Sequence, residues 1–213
     1  MLNSRAGLYI RNRLPRSMQH LLRLARHVVP QGKPAAKIPP ELFADCRVCT
    51  SRRELVTKFP HGARIAEVGT FRGNFAHHIL TACAPAELHV IDLDLSQLDP
   101  GVAQDARVRV HQGYSHVVLS GFPSAHFDWI YIDADHSYEG VLRDANAAAT
   151  KVKVGGFLVF NDFAHADPFL GAYGVQRAVA DFVVANRWPI VWLAYHVNAL
   201  YDIAIKRPGG PEE

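Results

Sequence analysis

The spacing of apolar residues changes along the chain, from a helical period near the start to short β-type runs further on. Apolar residues three and four positions apart predict an amphipathic helix over residues 15–29. A proline-rich linker follows, and residues 41–59 predict one or two short helices, one of them capped by Ser51. We therefore expect a basic helical arm and cap over residues 1–59, followed by a second domain over residues 60–213.

The second domain alternates between strand-like and helix-like segments. Apolar runs rich in β-branched and aromatic residues predict seven strands, at 63–68, 87–93, 107–111, 127–132, 157–160, 190–195 and 200–205. The intervening helices are predicted at 74–83, 138–152 (ended by Gly155-Gly156) and 174–186. This alternation predicts an α/β fold with a doubly wound, mostly parallel seven-stranded sheet. The last two strands are close enough in sequence to form an antiparallel pair.

Length and composition indicate a globular protein of ordinary type. The chain has 213 residues, of which 49% are hydrophobic, and a formal net charge of +3. It contains no apolar run long enough to span a bilayer and no signal-peptide pattern, and three cysteines are typical of a reducing compartment, so we expect a cytoplasmic protein. Cys46 and Cys49 form a CxxC pair, but the second pair that a zinc site would need is missing.

The positive charge is concentrated in the arm. Residues 1–40 contain eight of the 23 Lys and Arg residues and no Asp or Glu, which leaves 15 basic against 20 acidic residues in the rest. We therefore expect no nucleic-acid partner for the main domain. The arm is expected to pack on the domain or on a second subunit in a homo-oligomer; contact with a membrane surface and a role as a presequence are alternatives.

One strand ends in a group of acidic and imidazole side chains. The predicted strand over residues 127–132 is followed by Asp133, Asp135 and His136. Ligands of open α/β sheets bind at the carboxyl ends of the strands. We therefore expect the reaction centre at this strand end.

The first turn of the sheet has the features of a ligand-binding turn. Gly69 and Gly73 in EVGTFRG permit a tight turn, with the spacing G-x-x-x-G rather than the G-x-G-x-x-G that binds a pyrophosphate. Glu67 would repel phosphate but attract a cation. Asp92 lies roughly 20 residues beyond the glycines, the spacing at which a carboxylate binds ribose hydroxyls. These features favour a nucleoside that carries positive charge.

This combination resembles the class I S-adenosylmethionine-dependent methyltransferases. EVGTFRG is similar to their first motif, and the acid in HVIDLD is similar to their ribose-binding residue. Within that class, YIDADHSYEGV, GGFLVFNDF and GVQRAVADF most resemble small-molecule O-methyltransferases related to macrocin O-methyltransferase. The resemblance implies that S-adenosyl-L-methionine is bound by Glu67, Gly69, Thr70 and Gly73 around the methionine part, by Asp92 at the ribose, by Gly113, Tyr114 and Ser115 at the adenine, and by Asp133.

The ends of the fourth and fifth predicted strands bring further oxygen donors. Asp133 and Asp162 follow strands that should be neighbours, and together with Asn161 they form an all-oxygen set suited to Mg²⁺ or another divalent cation. The related metal-dependent enzymes place ligands at these three positions. They have Asp-Asp where this chain has Asn161-Asp162, and the loss of one charge should weaken divalent binding.

His136 resembles the histidine that acts as general base in the macrocin-like group, and the near-neutral pKa of an imidazole suits that role. The leading hypothesis is methyl transfer to a hydroxyl of a small molecule, such as a sugar or polyketide, with His136 and Asp133 as catalytic residues. Tyr138 and His165 are expected to face this acceptor. The alternatives are a metal-independent N- or carboxyl-methyltransferase, a nicotinamide-dependent oxidoreductase, and a non-catalytic partner protein that uses the basic arm.

Overall fold

A computed structural model describes residues 34–167, 171–196 and 199–209. The predicted helix over 15–29 lies outside the described residues. The strands are Arg47–Cys49 (β1), Arg64–Val68 (β2), Glu87–Asp92 (β3), Val108–Gln112 (β4), Phe127–Ile132 (β5), Val152–Phe160 (β6), Ala166–Asp167 (β7), Gly171–Ala172 (β8), Ile190–His196 (β9) and Ala199–Lys206 (β10). The helices are Arg52–Val56 (α1), Asn74–Ala82 (α2), Pro100–Ala103 (α3), Ser115–Ser120 (α4), Tyr138–Ala149 (α5) and Val175–Asn186 (α6), with a 3-10 helix at Pro40–Phe43.

Eight strands form the main sheet, in the order β1-β9-β10-β6-β5-β2-β3-β4. Strand β10 runs antiparallel to β6 and β9, and the other neighbouring pairs are parallel. The predicted doubly wound, mostly parallel α/β fold and its antiparallel final pair are therefore confirmed. The sheet has one strand more than the seven that the sequence predicts.

The additional strand is β1, in a region for which the sequence predicts only helices. Strand β1 has three residues and pairs in parallel with β9, with Val48 opposite Leu193. Helix α1 follows, and Ser51 caps it as predicted, since its side chain accepts a hydrogen bond of 3.2 Å from the backbone N–H of Glu54. A strand this short contains too few positions to show a period of two.

The helix predicted over 138–152 is three residues shorter in the structure. Helix α5 ends at Ala149, and β6 begins at Val152, so Gly155 and Gly156 lie inside a strand rather than at a helix end. A Cβ atom at Gly156 would overlap the carbonyl oxygen of Asp128, because β5 and β6 approach closely there. The glycine pair therefore serves strand packing, and the β5–β6 register shifts at the same place.

Helices cover both faces of the sheet. Residues of α4, α5 and α6 pack on one face and residues of α1, α2 and α3 on the other. Leu55 and Phe59 belong to the same core as Ile65 of β2, so the predicted boundary between residues 59 and 60 falls between two segments that share one core. No helix among the described residues is long and apolar enough to cross a bilayer.

Candidate active site

The carboxyl ends of four neighbouring strands surround a cavity of about 540 Å³. The cavity wall includes Gly69 after β2, Asp92 at the end of β3, Gly113 after β4, and Asp133 and His136 after β5. Residues from widely separated parts of the sequence therefore meet at one edge, as expected for an open α/β sheet.

Gly69 brings the backbone of the first turn against the end of β5. It has a φ of +90°, and a Cβ atom there would lie 2.5 Å from the carbonyl carbon of Asp133 and 2.8 Å from Cα of Ala134. Its N–H donates to the carbonyl oxygen of Ile91 at 2.8 Å. The cavity therefore has a backbone wall at a place where no other side chain fits.

Asp92 lies on the cavity wall and is almost completely buried, at 6% exposure. Its Oδ2 accepts a hydrogen bond of 2.7 Å from the N–H of Phe71, and its Oδ1 accepts one of 3.2 Å from the N–H of Asp94. Both backbone donors fix the orientation of the carboxylate. A carboxylate held in this way beside a cavity is suited to accept hydrogen bonds from ligand hydroxyls.

Glu67, Thr70 and Gly73 do not line the cavity, although the resemblance places them around the methionine part. Glu67 is buried, and its Oε2 accepts a hydrogen bond of 2.8 Å from Oγ1 of Thr70. Burial raises the pKa of Glu67 to about 8. Gly73 has a φ of +80° and precedes helix α2. In the structure these three residues therefore belong to the first turn and its flanks but do not face the cavity.

Gly113, Tyr114 and Ser115 all line the cavity at the start of α4. Ser115 Oγ donates a hydrogen bond of 2.6 Å to Oδ1 of Asp144, a buried residue of α5 that also lines the cavity. Tyr114 is 64% exposed and forms part of the cavity rim. Asp144 was not predicted as a site residue, because a carboxylate inside a helix has no sequence pattern that separates it from a solvated one.

The reaction centre predicted after β5 forms a compact group of side chains. His136 Nε2 lies 3.3 Å from Asp133 Oδ1 and 3.2 Å from Asp162 Oδ2. Burial disfavours the charged ring, but the hydrogen bond to Asp133 and the charges of Asp133, Asp162 and Asp135 outweigh it and raise the pKa of His136. Burial also raises the pKa of Asp162. The imidazole therefore bridges two carboxylates from neighbouring strands.

Arg52 and Tyr131 also belong to this group, and sequence analysis missed both. Arg52 Nη1 lies 3.4 Å from Asn161 Oδ1 and 3.7 Å from Asp133 Oδ2. The hydroxyl of Tyr131 donates to Oδ2 of Asp202 at 2.7 Å and lies 3.4 Å from Asn161 Oδ1. The guanidinium thus supplies a positive charge from helix α1 to a centre rich in carboxylates. In the segment around Arg52 the sequence shows only the CxxC pair and the helix cap at Ser51, and neither indicates a site residue.

The orientation of Asn161 bears on the predicted divalent cation. Its Nδ2 donates a hydrogen bond of 2.9 Å to Asp133 Oδ1, while its Oδ1 faces the donors of Arg52 and Tyr131. Asp133 and Asp162 converge, and Asp162 Oδ1 is buried with no hydrogen-bond partner of good geometry among the described residues. The two carboxylates therefore fit a cation, whereas the amide presents a nitrogen where a ligand oxygen would be needed.

Aromatic and imidazole rings pack against His136. The ring of Tyr173 lies 4.8 Å from that of His136 and 5.0 Å from that of His165. Tyr138 instead directs its hydroxyl to Oδ2 of Asp181 on α6, at 2.9 Å, and therefore faces helix α6. Gly174 holds this segment close, because its N–H donates to the carbonyl oxygen of His136 at 2.8 Å.

Comparison with protein families identifies the type of domain. Residues 66–163 match the family model described as "Methyltransferase domain", slightly less than half of the chain. This segment contains the first turn, Asp92 and the Asp133 centre. Residues 66–163 therefore carry a methyltransferase domain, which supports the class I S-adenosylmethionine-dependent type. The comparison with curated protein sequences found no significant match.

Solved structures of methyltransferases share the fold at low sequence identity. The O-methyltransferase NovP has a TM-score of 0.54 and 15% identity, over 74% of this chain and 80% of NovP. An rRNA methylase from Streptococcus thermophilus has a TM-score of 0.55 and 9% identity, over 74% of this chain and 94% of the methylase. The pyocyanin biosynthetic protein PhzM has a TM-score of 0.52 and 16% identity, over 69% of this chain and 51% of PhzM. These similarities establish the methyltransferase fold and leave the methyl acceptor open.

Proposed function

We propose that the chain transfers the methyl group of S-adenosylmethionine to a hydroxyl of a small molecule, such as a sugar or a polyketide-like compound. The observation that carries this proposal is the position of His136. Its imidazole, a side chain suited to act as a general base, lies between two carboxylates on the wall of the cavity that Gly69, Asp92 and Gly113 also line.

The cavity fits a nucleoside methyl donor. Asp92 is held by backbone donors in an orientation that can accept hydrogen bonds from ribose hydroxyls, and Gly113 and Ser115 border the neighbouring space for the adenine. Gly69 and Asp133 both line the cavity, and the missing Cβ atom at Gly69 lets the backbone of the first turn lie against that of Asp133, which is where the methionine part is proposed to lie.

His136 is proposed to take the proton of the acceptor. The acceptor oxygen bonds to the methyl carbon as the carbon–sulfur bond of the donor breaks, and the hydroxyl proton moves to the imidazole of His136. Asp133 and Asp162 orient the ring and stabilise the imidazolium that results. Asp133 and Asp162 are also the residues that would hold Mg²⁺, which when bound would polarise the acceptor oxygen as a Lewis acid.

Calorimetry with S-adenosylhomocysteine tests the donor site, and NAD serves as the competing ligand. We expect S-adenosylhomocysteine to bind and NAD not to bind. Asp92→Ala should weaken binding about 10- to 150-fold, because hydrogen bonds to a charged group contribute about 1.5–3 kcal/mol. Tight binding of NAD, or an unchanged affinity in Asp92→Ala, would contradict the assignment of this cavity to the methyl donor.

The acceptor step is tested by following S-adenosylhomocysteine formation with a panel of sugars, phenols and other small alcohols. In His136→Gln, turnover should fall about 10²- to 10⁴-fold while donor affinity stays the same, as expected for loss of a general base. The exposed His61 gives the matched control His61→Gln, which should keep full turnover. Methyl transfer to RNA or protein but to no small alcohol would refute the proposed acceptor class.

A metal-independent methyltransferase of the same fold, acting on nitrogen or a carboxylate, is the second candidate. The orientation of Asn161 favours it, because the amide N–H holds Asp133 without any cation. Turnover measured with a chelator and with added Mg²⁺ separates the two candidates. Loss of turnover with chelator supports the metal-assisted reaction, and unchanged turnover supports the metal-independent one.

A further inference from the structure

A cluster of metal-ligand side chains lies at the amino ends of the strands, whereas the methyl-donor cavity lies at their carboxyl ends. Glu87 and His89 are two residues apart at the start of β3, so their side chains lie on one face of the sheet. His126 immediately precedes β5. Asp92 ends the same strand β3, roughly 16 Å further along at 3.3 Å per residue. The cluster is therefore separate from the Asp133 centre.

The three side chains converge as metal ligands do. One donor atom from each of Glu87, His89 and His126 lies within 4.8 Å of the other two. His89 Nε2 lies 3.7 Å from Glu87 Oε2, and the rings of His89 and His126 lie 5.6 Å apart. No other three His, Cys, Asp or Glu side chains in the described part of the chain converge as closely.

His89 has a buried nitrogen that the protein leaves unsatisfied. The residue is 6% exposed, and its Nε2 makes no hydrogen bond among the described residues, since its nearest acceptor in the cluster, Glu87 Oε2, is 3.7 Å away. Buried polar atoms usually have partners, so this nitrogen needs an explanation. The other nitrogen, Nδ1, lies 3.0 Å from Nε2 of His111. When Nδ1–H donates to His111, the lone pair of Nε2 points into the cluster, which is the arrangement that outer partners impose on metal-binding histidines.

We propose that Glu87, His89 and His126 form a metal site for Zn²⁺ or a similar transition-metal ion. Two imidazoles and one carboxylate suit Zn²⁺ far better than Mg²⁺, which prefers oxygen ligands. Zn²⁺ binds such ligands at about 2.0–2.2 Å, so the three atoms have to approach one another on binding. Glu87 and His126 are only partly buried, which permits this small movement and leaves a fourth position for water.

Two arginine side chains lie beside the carboxylate of Glu87, and their positive charge opposes the binding of a cation without occupying all of its acceptor positions. Arg64 Nε donates to Glu87 Oε2 at 2.7 Å, and Arg109 Nη2 lies 3.9 Å from Oε1. A carboxylate offers about four lone-pair positions, so Glu87 retains acceptor capacity for a cation. The bound ion would connect the starts of β3 and β5, which β2 separates in the sheet.

Zn²⁺ titration of the full chain after chelator treatment tests the site, with calorimetry for affinity and the visible absorption of a Co²⁺ substitute for geometry. We expect one tightly bound Zn²⁺ at this cluster that excess Mg²⁺ does not displace. His126→Ala should abolish this binding without unfolding the protein, because His126 is partly exposed. His111→Ala should weaken it roughly 10- to 100-fold, as outer partners do.

Two control variants make the outcome decisive. His77→Ala removes an exposed histidine of α2 and should leave Zn²⁺ binding unchanged. Asp162→Asn alters the other carboxylate centre and should also leave it unchanged. Absence of stoichiometric Zn²⁺ binding, unchanged binding in His126→Ala, or loss of binding in Asp162→Asn would each overturn the proposal.

Discussion

Replacement of Gly69 by alanine should both destabilise the fold and distort the wall of the donor cavity. The residue has a φ of +90°, which costs a residue with a side chain about 1–2 kcal/mol. The added Cβ atom would lie 2.5 Å from the carbonyl carbon of Asp133, whereas carbon atoms in contact are about 3.5–4.0 Å apart. The turn therefore has to move away from β5 by about 1 Å.

That movement has a cost that can be bounded. It strains the hydrogen bonds from Gly69 N–H to Ile91 and from Asp133 N–H to Val68, which are 2.8 and 2.7 Å long. Forcing an extra carbon into a packed site costs about 1–3 kcal/mol. Together with the backbone term, Gly69→Ala should lower the free energy of unfolding by about 2–5 kcal/mol, a large share of the 5–15 kcal/mol that is usual for a domain.

Gly62 provides the matched control. It has a φ of +67°, but a Cβ atom there would have no atom within 4 Å, so Gly62→Ala carries only the backbone cost of about 1–2 kcal/mol. Urea unfolding of both variants measures the difference, and calorimetry measures S-adenosylhomocysteine binding, which only Gly69→Ala should lose. If Gly69→Ala is no less stable than Gly62→Ala and still binds the ligand, the close approach to Asp133 does not shape the cavity.

Three further predictions concern charge. Because the pKa of His136 is raised, turnover should rise with pH through a midpoint above 6.5, and this midpoint should be absent from His136→Gln. The stability that the charged ring contributes is fully present below about pH 6.5 and should be lost as pH rises through the raised pKa. A profile without that midpoint would exclude His136 as the base. Asn161→Asp places another carboxylate beside Asp133, so it should lower the melting temperature without metal, and Mg²⁺ should raise that temperature more than in wild type; equal effects of Mg²⁺ would contradict a cation site. Burial raises the pKa of Glu67 to about 8, so the free energy of unfolding of the wild type should fall between about pH 4.3, the usual pKa of Glu, and pH 8. Glu67→Gln should remove this pH dependence. If urea unfolding gives the same pH dependence for the wild type and Glu67→Gln, the shift is refuted.

The parts of the fold with strong local patterns were predictable from the sequence. Phe127–Ile132 is a buried strand that ends in acidic residues, and the structure places it next to β6 in the middle of the sheet. The order of apolar runs and helices was sufficient to predict the doubly wound sheet, because parallel strands require helical crossovers. The same rule predicts that Asp133 and Asp162 follow adjacent strands, and the structure brings both to His136.

The missed parts depend on contacts between distant segments. Gly156 follows a helix in sequence and was interpreted as its stop, whereas its function is to let β6 approach Asp128. Arg52 lies in a short helix with no motif, and only the fold places its guanidinium 3.7 Å from Asp133 and over the ring of Phe75, at 4.7 Å. Residue patterns report local periodicity and do not report such tertiary approaches.

The short strand β1 has a practical consequence for protein expression. It covers the outer side of β9, and it begins at Arg47, before the segment 66–163 that matches the methyltransferase family. A fragment that begins at residue 66, where the matched segment starts, would lack β1 and leave the backbone donors and acceptors of β9 unpaired. Such a free sheet edge promotes aggregation. An expression fragment should therefore retain the chain from the linker onward.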